Sequence, residues 1–122
     1  MAKKQGRYYS VLTIKRLYAL SGNQCAFPDC PIMFLNWEDD TNFSNICHIE
    51  DANQSTHKAD RYNPNMTDKA RADYDNLLLL CPNHHIETNN PEKYTVSILK
   101  KMKRDHETYI RERLVGQNII AN

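Results

Sequence analysis

The nine residues from Leu77 to His85, Leu-Leu-Leu-Leu-Cys-Pro-Asn-His-His, set an unbroken apolar run directly against one thiol and two imidazoles. Four leucines in succession leave no polar face for water, so the run has to be buried. Cys81 and His84 are separated by two residues. Far upstream, Cys25 and Cys30 are separated by four, and Pro28 and Asp29 between them favour a tight turn. Two turns that each give two ligands match the spacing by which tetrahedral zinc is held. The expectation is a structural Cys3His site made of Cys25, Cys30, Cys81 and His84, whose binding energy helps to fold the domain.

The chain has 122 residues, with four cysteines and five histidines. That length suits one domain over residues 1–122 and is too short for two ordinary ones. A thin core needs a staple, and these residue types offer either disulfides or a metal. The opening Met-Ala-Lys-Lys-Gln-Gly-Arg is polar and basic, with no apolar run of signal-peptide length, and no segment approaches a membrane span. A cytoplasmic, reducing setting is therefore expected, in which paired cysteines near a histidine read as zinc ligands rather than as disulfides. Four thiols simply buried in a small core remain the alternative.

A formal net charge of +1 is too small for nucleic acid to be held by the overall field. Basic residues instead gather at the two ends, as Lys3, Lys4, Arg7, Lys15 and Arg16, and as Lys100, Lys101, Lys103, Arg104, Arg111 and Arg113. Each cluster serves equally well as a solvated helix face.

Ile14, Leu17, Tyr18 and Leu20 fall on a helical stripe that Thr13 can cap and Gly22 can end. Ile32 to Phe34 and Ser44 to Ile49 favour short strands around a polar loop at Asp39 and Asp40, which predicts a hairpin with His48 on its second strand. A polar stretch follows from Glu50 to about Asp68, with Asn63, Pro64 and Asn65 as turn formers. Thr67 can cap a short helix that stops near Asn76. After Pro91, Thr95 can cap a last helix over about 95–115, with Ile98, Leu99, Met102, His106, Tyr109, Ile110 and Leu114 as its stripe.

With His84 assigned to the zinc, its neighbour His85 must point elsewhere, which implies a second site. A helix starting near Pro82 sets His85 and Asn89 one turn apart on one face, where an imidazole and an amide oxygen can ligate one divalent ion. Asn89 serves equally as the helix C-cap.

Taken as a set, Cys25-x4-Cys30, Cys47-His48-Ile49, Asp75-Asn76-Leu77 and Cys81-x2-His84-His85 resemble an HNH endonuclease domain. The resemblance runs from about Tyr18 to His106, through Tyr62-Asn63-Pro64-Asn65-Met66-Thr67 and Glu92-Lys93-Tyr94-Thr95. It implies an α+β fold: a small zinc-stapled ββα-metal domain, core about 18–106, with flanking N- and C-terminal helices. It also implies a role for each matching residue. His48 would be the general base, suited to that work by a histidine pKa of about 6.5. Asn76 would keep the loop and the His48 ring in register. His85, with Asn89, would hold a catalytic Mg2+ or another divalent ion that stabilises charge on the phosphate and the departing oxygen.

One residue departs from the pattern. Many HNH domains carry Asp or His before the base as a metal ligand, and here that residue is Cys47. On an alternating strand Cys47 faces away from His48, which favours core packing over ligation. Asp73, Asp75, Glu50 and Asp51 are the nearest candidates for a replacement carboxylate. His57 is read as an exposed loop residue, His106 as a packed or semi-exposed helix residue and Trp37 as a core or hairpin residue that can otherwise stack a base. Arg61 and Tyr62 are candidates for phosphate contact.

The expected function is metal-dependent hydrolysis of DNA phosphodiester bonds, with little sequence reading of its own. HNH domains similar to this one are often parts of bacterial or phage systems, including defence systems. Targeting would then come from a partner protein, from self-association through the last helix, or be absent. RNA cleavage uses the same chemistry. The reading from another class is a non-catalytic zinc-stapled module that binds nucleic acid or protein, a role that gives His48, Asn76 and His85 no evident work.

Overall fold

The computed structural model describes residues 5–56 and 59–121. His57, Lys3 and Lys4 lie outside them. The first helix, α1, spans Val11–Leu20 and begins earlier than its apolar stripe suggested. Ser10, extended at φ −68° and ψ 157°, caps it by accepting from the Thr13 amide, so Thr13 sits inside the helix rather than at its cap. The added turn carries the exposed Val11 and Leu12, which have no part in the stripe. Gly22 ends the segment at a φ of +63°, and a Cβ there would stand 2.6 Å from Ile110 Cδ1. A side chain is excluded both by the backbone and by that approach.

The expected hairpin does not form. Residues 32–35 make only isolated bridges, Gln24 with Met33 and Leu35 with Asn42. The sheet joins β1, Asn45–His48, to β2, Leu77–Leu80, antiparallel, with Cys47 opposite Leu78 and His48 opposite Leu77. A buried apolar run offers a longer gain than the polar loop at Asp39, and β1 pairs with that run instead. All four leucines of β2 are at most 2% exposed, so both faces of the strand are covered, as the run required.

The helix expected from Thr67 to Asn76 is two shorter pieces. Thr67 caps α2, Asp68–Arg71, and Asp73 then accepts from the Tyr74 amide to start a separate 3-10 turn, Tyr74–Asn76. A side chain that caps a new turn ends the old one. Beyond β2, α3 spans Pro82–Glu87 with Pro at its first turn, where a missing amide hydrogen costs nothing.

The last helix, α4, spans Val96–Ala121, longer than the expected 95–115, and Thr95 caps it by accepting from Ile98. Leu99, Met102 and Ile110 face the core, while Ile98, Tyr109 and Leu114 are exposed. His106 Nε2 donates to the Ser21 carbonyl over 2.8 Å, which ties α4 to the end of α1. Among the described residues the architecture is a small α+β fold: one two-stranded sheet, followed directly in the chain by α3, with α1 against β2 and Leu99 and Met102 of α4 in the same core. Among the described residues no helix is long and apolar enough to cross a membrane.

Candidate metal centre and adjoining cavity

Cys25, Cys30, Cys81 and His84 converge, with their ligand atoms all within 4.8 Å of one another. The turn from Cys25 to Cys30 is closed by Cys30 donating its amide to Phe27, with Asp29 in the left-handed region at φ 64°. The Cys81 amide donates to Cys25 Sγ over 3.2 Å and so bridges the two halves of the cluster. Zinc at about 2.3 Å from sulfur and about 2.0–2.1 Å from nitrogen puts tetrahedral neighbours roughly 3.5–3.8 Å apart. His84 Nδ1 stands 3.7 Å from Cys25 Sγ and 3.4 Å from Cys81 Sγ, which fits that edge length. The cluster can therefore hold a structural zinc ion.

Its surroundings are dry. The three thiols are at most 5% exposed, and burial pushes the Cys25 thiol up to about 12. The Phe27 ring lies flat on His84, centroids 3.9 Å apart and planes 4° apart, which fixes the imidazole plane. Four cysteine thiols are free and none is in a disulfide.

Next to this cluster, between β1 and α3, lies a cavity of about 350 Å³ lined by Tyr9, Cys47, His48, Asp51, His85 and Asn89, with Arg7 and Arg61 also in its wall. His48 Nε2 lies 2.9 Å from the Gly6 carbonyl. A carbonyl only accepts, so Nε2 carries the proton and Nδ1 of the neutral ring is the basic nitrogen. Tyr9 OH stands 3.5 Å from the same Nε2. Burial lowers the His48 pKa from its ordinary value; the Gly6 bond opposes the shift, Arg7 adds to it and Asp51 opposes it. The shift favours the neutral form of the ring.

Asn76 is buried and fully engaged. Its Oδ1 accepts from the Glu50 amide, and its Nδ2 donates to the carbonyls of Glu50 and Arg71. Its own carbonyl accepts from Ile49. Asn76 thus clamps the backbone that leaves β1 just after His48, and it acts on that loop rather than on the ring itself.

Cys47 is buried in the core, as its strand position suggested, and burial pushes its thiol up to about 12. Yet its Sγ also lies 3.1 Å from His85 Nδ1, in the wall of the cavity. Asn89 lies beyond α3, which ends at Glu87 with Thr88 as its C-cap; it is not the cap, and it lines the same cavity as His85. Of the four carboxylates considered, Asp51 alone reaches this cavity. Glu50 accepts from Asn63, Asp73 caps its turn, and Asp75 lies in a different hollow beside Lys100 and Lys103.

Arg61 has work other than phosphate contact. Its guanidinium donates to the carbonyls of Ile49, Thr88 and Tyr94, its amide donates to Asp51, and the side chain is 10% exposed. Tyr62 carries the Arg71 guanidinium over its ring at 4.5 Å. Trp37, read as a core or hairpin residue, is 93% exposed. Sequence reasoning missed Gly6, Tyr9 and the Arg61 bridge, because each meets the cavity through a long-range contact that no local pattern announces. No protein-family model matches the chain, and no curated protein matches it.

Proposed function

We propose that the chain is a metal-dependent nuclease of HNH type that hydrolyses phosphodiester bonds, with DNA as its substrate. The observation that carries this reading is one cavity bounded by a histidine of fixed tautomer, His48, and by a second histidine, His85, presented from the helix that follows β2. The His85 imidazole, the Asn89 amide oxygen and the Asp51 carboxylate line this one cavity and are of the donor types that suit a divalent ion. Such an ion supplies charge neutralisation at the phosphate and at the departing oxygen.

The work of the chain's own residues follows from their contacts. The Gly6 carbonyl holds the proton of His48 on Nε2, which leaves Nδ1 to take a proton from the attacking water. Asn76 keeps the end of β1 from drifting, and Arg61 ties that loop to the end of α3, so the base and His85 keep their separation. Arg7, exposed at the rim, offers a cation to the phosphate. The Cys3His cluster anchors α3 from its other side.

Nicking of supercoiled plasmid by wild-type protein and by His48→Ala, with added divalent metal and with an EDTA control, tests the proposal. The expected result is metal-dependent nicking that falls by about 10²–10⁴-fold in the variant, the usual contribution of a general base. Zinc-loaded, folded protein that cleaves neither DNA nor RNA with any divalent ion would leave the binding module as the better account.

A further inference from the structure

We propose that Cys47 Sγ and His85 Nδ1 are a paired anchor for a thiophilic divalent ion of the Zn2+, Co2+ or Ni2+ class. The inference rests on the reading that the cavity between β1 and α3 holds a metal, and it names which kind. The two atoms come from different elements, β1 and α3, and meet 3.1 Å apart in the cavity wall. Metal–sulfur and metal–nitrogen bonds of about 2.3 and 2.0–2.1 Å, spanning that separation, subtend an angle of roughly 90°. That is the angle between neighbouring positions of a five- or six-coordinate ion, and opening the pair by roughly 0.4 Å gives a tetrahedral one.

The rest of the cavity leaves room for further ligands. Asn89 and Asp51 line it, and 350 Å³ accommodates water and a phosphate oxygen as well. Cys47 and His85 lie outside the four residues of the Cys3His group, so an ion held by them would be separate from the structural zinc. Ligand chemistry then decides the ion. Mg2+ takes oxygen ligands and dehydrates reluctantly, whereas thiolate with imidazole suits zinc, cobalt and nickel. Coordination replaces the Cys47 S–H bond by a sulfur–metal bond and releases one proton to solvent.

The test titrates Co2+ into the 122-residue chain with its Cys3His cluster loaded with Zn2+. Sulfur-to-cobalt charge-transfer absorption and the zinc retained after desalting are followed together. The expected result is one Co2+ per chain, bound with that absorption and without loss of zinc. Cys47→Ser should abolish the absorption and weaken Co2+ binding by about tenfold or more. His85→Ala, on the half-exposed face of α3, should lose the absorption without disturbing the core. Cys47→Asp should bind Co2+ without the absorption and gain affinity for Mg2+. If Cys47→Ser does not fold, His85→Ala and Cys47→Asp carry the same comparison.

Absence of the extra Co2+, or an absorption that survives in His85→Ala and Cys47→Ser, overturns the proposal. So does plasmid nicking that runs on Mg2+ alone and is unchanged in Cys47→Ser, a result that leaves the nuclease reading intact. Thiolate-bound Co2+ in a protein that never cleaves nucleic acid would do the reverse.

Discussion

His84 and His85 are neighbours on α3, yet they face two surroundings of opposite character. His84 turns into a closed cluster with three buried thiols and is covered by the Phe27 ring. His85 turns into an open, polar cavity where it meets the Cys47 thiol and which His48 and the exposed Asn89 also line. Four protein ligands around one point leave no position for a substrate, which is the form of a structural centre. An incomplete ligand set beside free volume is the form of a working one. On the proposed reading, one six-residue helix divides stability from chemistry by the direction in which two adjacent side chains leave it.

The largest effect expected from breaking this division is at the closed site. Cys81→Ser removes one of the four ligands of the cluster while leaving the backbone amide that donates to Cys25. Structural zinc binding is worth on the order of 10 kcal/mol, comparable to the whole stability of a small domain. The variant should therefore lose zinc and show no cooperative thermal transition by circular dichroism. Retention of one zinc per chain with a normal transition would show that the cluster is not the staple.

Smaller effects sharpen the boundary between the sites. Asn76→Ala strands the Glu50 amide and two carbonyls, and should cost about 2–4 kcal/mol in denaturant unfolding. The loss should come with retained zinc, since Asn76 belongs to the open site's support alone. Phe27→Ala uncovers His84 and should cost about 1–3 kcal/mol, with faster zinc release to a chelator and no change in the cavity. Zinc release as slow as in wild type would mean that the stacked ring does not hold the ligand.

The closed site was legible because its ligands come in two local pairs, Cys25 with Cys30 and Cys81 with His84, whose spacings are set by single turns. The burial of Leu77–Leu80 was legible for a similar reason, since an apolar run has nowhere else to go. The partner of β1 was not. Asn45–His48 pairs with a strand far along the chain, and the nearer stretch at Ile32 looked equally extended. Pairing at a distance is chosen by buried area, which local pattern does not report.

The open site shows the same limit at single residues. His48 and His85 stood out by motif, but the tautomer of His48 depends on Gly6, and the position of Glu50 depends on Asn76 and, through Asp51, on Arg61. Cys47 looked like ordinary core because the strand alternates. Its contact with His85 exists because α3 packs against β1, which is a fact of tertiary structure.

The most direct measurement compares His84→Ala with His85→Ala for zinc content, thermal unfolding and metal-dependent plasmid nicking. The account predicts that His84→Ala loses zinc and cooperative folding, while His85→Ala keeps both and loses nicking. Zinc loss from His85→Ala, or full nicking by it, would contradict the separation of a closed structural centre from an open working one.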